Sequence, residues 1–183
     1  MNMSSPLSTL SAALAADRAT LLAAVERVPV SLRSRKPAPD CWSVADVLEH
    51  LSIVESRALV LARGLVESAP PLDGGCEPTP LNRAVLQNRS TRIQAPAPIV
   101  PTGTLSADDA LAALERSRAE LMDVIAAAEG RDLRQVSRPH PVLGKLDGYQ
   151  WLGAIGGPEE RHALQILEIG DTLAKQDLGS VAS

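Results

Sequence analysis

The stretch SVADVLEHLSIVESRALVLARGL, residues 43–65, decides how the chain folds. Ser43 and Asp46 stand three apart, the spacing at which each side chain accepts from the other's backbone amide, so the pair reads as a capping box opening a helix. Behind the cap, Val44, Val47, Leu48, Leu51, Val54, Ala58, Leu61 and Leu65 return at steps mostly of three and four. With 3.6 residues per turn, such steps put the side chains on one face. The pattern predicts an amphipathic helix with that stripe in a core.

Working outward, Leu14, Arg18, Leu21, Val25 and Val28 alternate steps of four and three, which predicts an earlier helix with one polar interruption on its apolar face. The segment Lys36-Pro37-Ala38-Pro39 ends it. Beyond the deciding stretch, Ser68 to Pro101 holds seven of the fourteen prolines and no sustained period, apart from a short helix at Leu81 to Asn88. That segment reads as a long crossover. Ser106 with Asp109 repeats the capping pattern, and Leu111, Leu114, Arg118, Leu121 and Ile125 carry a third long helix as far as Gly130. After a loop ending near Gly148, Trp151, Leu152, Ile155, His162, Ile166 and Ile169 share a face on a last helix running to about Lys175.

Gly156-Gly157-Pro158 interrupts that last helix. Two glycines weaken it, and Pro158 lacks an amide hydrogen and crowds the carbonyl of Ala154, so a kink or break is expected there. No segment sustains a period of two with β-branched enrichment, and no internal repeat is found. The expectation is an all-α chain without a β-sheet: one domain over residues 1–183, a four-helix bundle with a long crossover between helices two and three.

Composition excludes several function classes. Eighteen Lys+Arg against twenty-two Asp+Glu give a net charge of −4, and the basic residues are scattered, which argues against nucleic acid. Trp42, Tyr149 and Trp151 are the only aromatic residues, too few for a base-stacking platform. The longest apolar run, about five residues, is far short of the roughly twenty that a membrane-spanning helix needs. Residues 1–10 show no basic segment before an apolar one, and the chain reads as cytoplasmic. Cys41 and Cys76 then read as reduced thiols, small and partly buried. No nucleophile elbow, dinucleotide fingerprint or phosphate-binding loop is present.

Only His50, His140 and His162 offer imidazoles, and two of them, His50 and His162, fall on apolar stripes, where a bundle builds its sites. Alone, each is more ordinarily a core histidine bonded to a backbone carbonyl or to a side chain such as Gln165. The segments WSVADVLEHL (42–51), VPTGTLSADDALAALERSR (100–118), HPVLGKLDGYQWL (140–152) and PEERHALQI (158–166) together resemble the DinB-like superfamily. The resemblance implies an up-down-down-up four-helix bundle, often dimeric, in which three histidines hold one divalent metal. Some members use the metal in thiol-dependent transfer or isomerisation with mycothiol, bacillithiol or glutathione; most have no assigned reaction.

Carried onto this chain, the first metal histidine falls on His50 and a pair spaced four apart falls on residues 158 and 162. Residue 158 is proline, which has no donor atom, so the inherited site lacks one of three ligands and would hold zinc or nickel weakly. Glu159, three residues before His162, offers a two-histidine, one-carboxylate set with His50 and His162. The ordinary alternative makes Glu159 and Glu160 first-turn carboxylates that face water behind a helix-opening proline. His140 sits in a His-Pro turn and is better explained by loop structure. Trp151, Gln165 and Val54 are expected to wall the pocket. Three functions follow: a small-molecule-binding module with a degenerate metal site; a metal-dependent thiol transferase, isomerase or hydrolase; and a dimeric structural or interaction protein.

Overall fold

The computed structural model describes residues 5–75, 77–87 and 94–181. Their helices are α1 (Pro6–Glu26), α2 (Val44–Ser68), α3 (Ala84–Gln87), α4 (Ala107–Ala127), α5 (Gly148–Ala154) and α6 (Gly157–Val181), with a hairpin of β1 (Ser137–His140) and β2 (Gly144–Asp147) before α5. Local chemistry sets the starts. Ser5 caps α1, Ser43 and Asp46 close their capping box on α2, Ser106 accepts from the Asp109 amide at α4, and Asp147 with Gln150 boxes α5. The short helix in the crossover is α3; Asn88, where it was expected to end, lies outside the described residues, as does Cys76.

Contacts fix the helix directions. Arg18 meets Glu55 while the Ala45 amide donates to the Arg33 carbonyl, so positions rise along the α1 arm as they fall along α2. Gly103 lies against Asp46 and Arg118 against Glu55, so α2 and α4 run parallel. Leu14 lies against Gly156 and Val28 against Gly170, so α1 and α6 are parallel too. The four-helix bundle is thus up-down-down-up, with α5 and α6 as its fourth rod.

Several expectations need correction. The loop before α5 contains a two-stranded antiparallel sheet, Ser137 pairing with Asp147 and His140 with Gly144. Four-residue strands turning on Gly144 at φ 76° are too short to show a period. The last helix reaches Val181, not Lys175. On α2 the buried positions beyond Leu51 are Ser52, Glu55, Leu59, Ala62, Leu65 and Val66, while Leu61 is 44% exposed and Val54 only half-buried. A glutamate occupies the core register at 55, so the apolar pattern alone points to its neighbours.

The break in the fourth rod falls at Ile155–Gly156, between α5 and α6. Pro158 is the second residue of α6, where its missing amide hydrogen has no helical partner to lose. The glycines serve close approach as well. A Cβ on Gly156 would collide with the Asp17 carboxylate and Leu14, and one on Gly157 with Leu86 of α3.

Candidate functional site

Two buried polar assemblies sit inside the bundle. The first is His50 on α2 with His162 on α6, 6% and 9% exposed. Their ring centroids are 5.0 Å apart in an edge-to-face arrangement, and Trp42 lies against His50 with centroids 5.0 Å apart. The His50 Nδ1 is 2.6 Å from the Ile99 carbonyl oxygen, which can only accept, so Nδ1 carries the hydrogen. The His162 Nδ1 is 2.9 Å from the Gln165 amide oxygen and donates likewise. Burial pushes the His50 pKa below its ordinary value, against the Ile99 bond, and keeps the ring neutral. Nδ1 donation to an oxygen is also how metal-binding imidazoles are held by outer partners.

The crossover closes over this pair. A 3₁₀ turn at Ala97–Ile99 places the Ile99 carbonyl on His50, and the next residues are tied to the adjacent Glu49. The Glu49 carboxylate accepts from the Thr102 amide at 3.0 Å, from the Thr102 hydroxyl and from the Gly103 amide at 2.9 Å. Burial alone would push the Glu49 carboxyl up, but these bonds hold it below the usual carboxylate value.

The second assembly takes one residue from each long helix: Arg18 of α1, Glu55 of α2, Arg118 of α4 and Glu159 of α6. Arg18 donates to Glu159 at 2.7 Å and to Glu55 at 2.6 Å; Arg118 donates to Glu55 at 3.1 Å and to Glu159 at 3.0 Å. The two arginines are also reciprocal, Arg18 donating to the Leu114 carbonyl and Arg118 to the Leu14 carbonyl. Side-chain exposures of 11, 4, 12 and 1% along the chain make this a neutral buried layer. It separates an apolar cluster around Leu21, Leu48, Leu114 and Ile166 from another around Leu14, Leu59, Leu121 and Leu152.

Sequence reading found no repeat, yet the reciprocity has a sequence counterpart. Leu14, Arg18, Ala19, Leu21 and Val25 are matched one for one by Leu114, Arg118, Ala119, Leu121 and Ile125. The layer itself was missed, although Arg18 and Arg118 were each visible as the one polar residue on an apolar stripe.

Glu159 therefore neither faces water nor joins the imidazoles. Its Oε1 is held by two guanidinium groups, and burial raises its pKa against the pull of Arg118 and Arg18. Among the described residues no three His, Cys, Asp or Glu side chains are grouped where they could hold a metal. Pro158 supplies no donor, so the residues present do not fit a three-histidine centre. Of the expected pocket residues, Gln165 holds His162. Trp151 instead packs on His140, ring centroids 5.1 Å apart, and donates to the Arg138 carbonyl. His140 accepts at Nδ1 from the Val142 and Leu143 amides, capping the hairpin turn.

Two cavities stand out, and neither is lined by His50 or His162. A groove of about 370 Å³ between α1 and α6 is lined by Thr20, Ala24, Arg27, Ala163 and Leu167. A polar cavity of about 230 Å³ lies beside Trp42, between Lys36, Cys41 and Asp46 on one side and Val100, Thr102 and Gly103 on the other. Cys41 is a free, half-buried thiol.

Comparison with known proteins adds the family. The sequence profile of the DinB superfamily matches residues 13–166. The uncharacterized protein YuaE of Bacillus subtilis (strain 168) is 31% identical over 143 residues, covering 78% of this chain and 85% of that protein. A crystal structure described as TT2238, a four-helix bundle protein, superposes with a TM-score of 0.54 at 25% identity, covering 87% of this chain and 95% of that one.

Proposed function

The chain belongs to the DinB superfamily, and from that premise we propose that it is a small-molecule-binding module whose inherited metal site is degenerate. Pro158 carries the proposal, standing where the family pattern puts a second histidine, one turn before His162 on a continuous stretch of α6. Two imidazoles then remain; their Nδ1 hydrogens, engaged by Ile99 and Gln165, leave the Nε2 lone pairs available, but among the described residues no third strong donor stands beside them. Such a pair suits a small apolar or thiol-bearing molecule packed against His50 and Trp42 better than a tightly held cation. Glu159 does not repair the set: its Oε1 serves Arg18 and Arg118, and among the described residues its buried Oε2 has no hydrogen-bond partner and it is not grouped with His50 and His162 where three side chains could hold a metal. The proposed partners are this ligand and a second copy of the chain, not nucleic acid or membrane, and the proposed location is the cytoplasm. No helix among the described residues is long and apolar enough to cross a membrane.

Metal content tests the reading. Protein purified without a histidine tag and dialysed should hold zinc or nickel well below one ion per chain. Pro158→His should raise occupancy toward one per chain, since residues 158 and 162 stack on one helix face, and adding His50→Ala should abolish the gain. One ion per chain in the unmodified protein would replace this reading with that of a metal-dependent thiol transferase, isomerase or hydrolase. A monomeric mass in light scattering at micromolar concentration would remove the second copy.

A further inference from the structure

We infer that the crossover segment from Ala97 to Gly103 is the gate to the His50–His162 pair and that the Glu49 carboxylate is its latch; this rests on the binding reading above. With both imidazoles only 6–9% exposed, an occupant reaching them must displace part of the wall. Ile99 to Gly103 form a wall piece with little buried apolar area of its own. Ala97, Pro98, Val100, Thr102 and Gly103 are exposed, and Ile99 and Pro101 are half-buried. Polar bonds to one turn of α2 tie the segment down: Ile99 to His50, and the three bonds from Thr102 and Gly103 to Glu49.

A surface segment held by hydrogen bonds and little buried apolar area opens at low cost in free energy. Pro96, Pro98 and Pro101 stiffen it so that it moves as a unit, and Gly103, at φ 73°, supplies a backbone conformation suited to a pivot. The polar cavity of about 230 Å³ marks the seam, with Val100 to Gly103 on one lip and Cys41-Trp42 on the other. It falls below the roughly 300–1,000 Å³ of sites that enclose drug-sized ligands, as expected of an entrance rather than a complete site. Swinging the segment off Glu49 breaks the Ile99 bond and uncovers the His50 ring.

The three histidines lie in separate parts of the chain and report the test directly. Diethyl pyrocarbonate modifies imidazoles, and peptide mass spectrometry resolves the rate at His50, His162 and His140 in one sample. Glu49→Ala should accelerate modification of His50 and His162 on the order of tenfold, the shift expected when a hydrogen bond to a charged group is lost. His140, on the hairpin, should be unchanged. Thr102→Val, which removes only the hydroxyl donor, should act in the same direction by less and covers the case in which Glu49→Ala folds poorly. Equal rates at His50 and His162 in parent and variants overturn the gate, and so does a parallel rise at all three histidines. The labelling reads access alone, so a gate that passes with no ligand found sinks the binding reading and not the gate. A gate that fails leaves the metal measurements standing.

Discussion

Glu159 and His162 lie three residues apart on α6, and both are buried, yet they are held in opposite ways. Glu159 belongs to a closed ring of two arginines and two glutamates drawn from all four long helices, with guanidinium hydrogens also spent on the Leu14 and Leu114 carbonyls. His162 and His50 hold one another through ring contact and anchor outward, to Gln165 and to the exposed crossover. The first assembly is interlocked and central. The second is tied to the exposed crossover, where the ligand site is proposed.

Breaking the ring tests this contrast with the largest expected effect. Removing one partner of a buried ion pair leaves an unpaired charge and costs about 3–5 kcal/mol, so Arg118→Met should lower stability by that much in denaturant titration. Replacing all four members with aliphatic residues of similar volume should recover most of it. His50→Ala should cost clearly less than Arg118→Met; equal costs would end the distinction between a structural layer and a ligand site.

The next prediction concerns how α1 comes close enough to α6 for the ring to form. Gly156→Ala would drive a methyl group into Asp17 and Leu14, and overpacking of this kind costs about 1–3 kcal/mol. Gly64→Ala is the control: nothing lies within 4 Å of a Cβ there, in the C-terminal part of α2, and the change should stabilise by up to about 0.5–1 kcal/mol. If both substitutions stabilise, the glycine contact does not govern the approach.

The smallest effect is the pH dependence of the histidine side. Because burial holds His50 below its ordinary value, the folded protein takes up this proton less readily than the unfolded chain. Its stability contribution is complete above the unfolded imidazole value of about 6.5 and declines as the pH falls through the lower folded value. Thermal unfolding between pH 7.5 and 5 should show this acid limb, and His50→Gln should flatten it. An unchanged limb would assign the titration to another group.

Much of the fold was legible because its signals are local. Capping pairs such as Ser43 with Asp46 act over three residues, apolar stripes repeat every turn, and a Gly-Gly-Pro run interrupts a helix wherever it falls. The hairpin escaped because four-residue strands are too short to show a period. The α2 stripe was misread past Leu51 because a glutamate fills the core position at 55.

By itself, the sequence determined the helices, their starts, the crossover and the two histidines on apolar stripes, all properties of residues a few positions apart. Tertiary structure alone decided what those residues meet. Arg18 finds Glu55 and Glu159, 37 and 141 positions away, and His50 finds Ile99, 49 positions away. Charges on separate stripes can be read as interruptions one helix at a time, but whether they cancel depends on helix direction and level along the bundle. Those are set by packing the whole chain, and they turned Glu159 from a candidate ligand into part of the core.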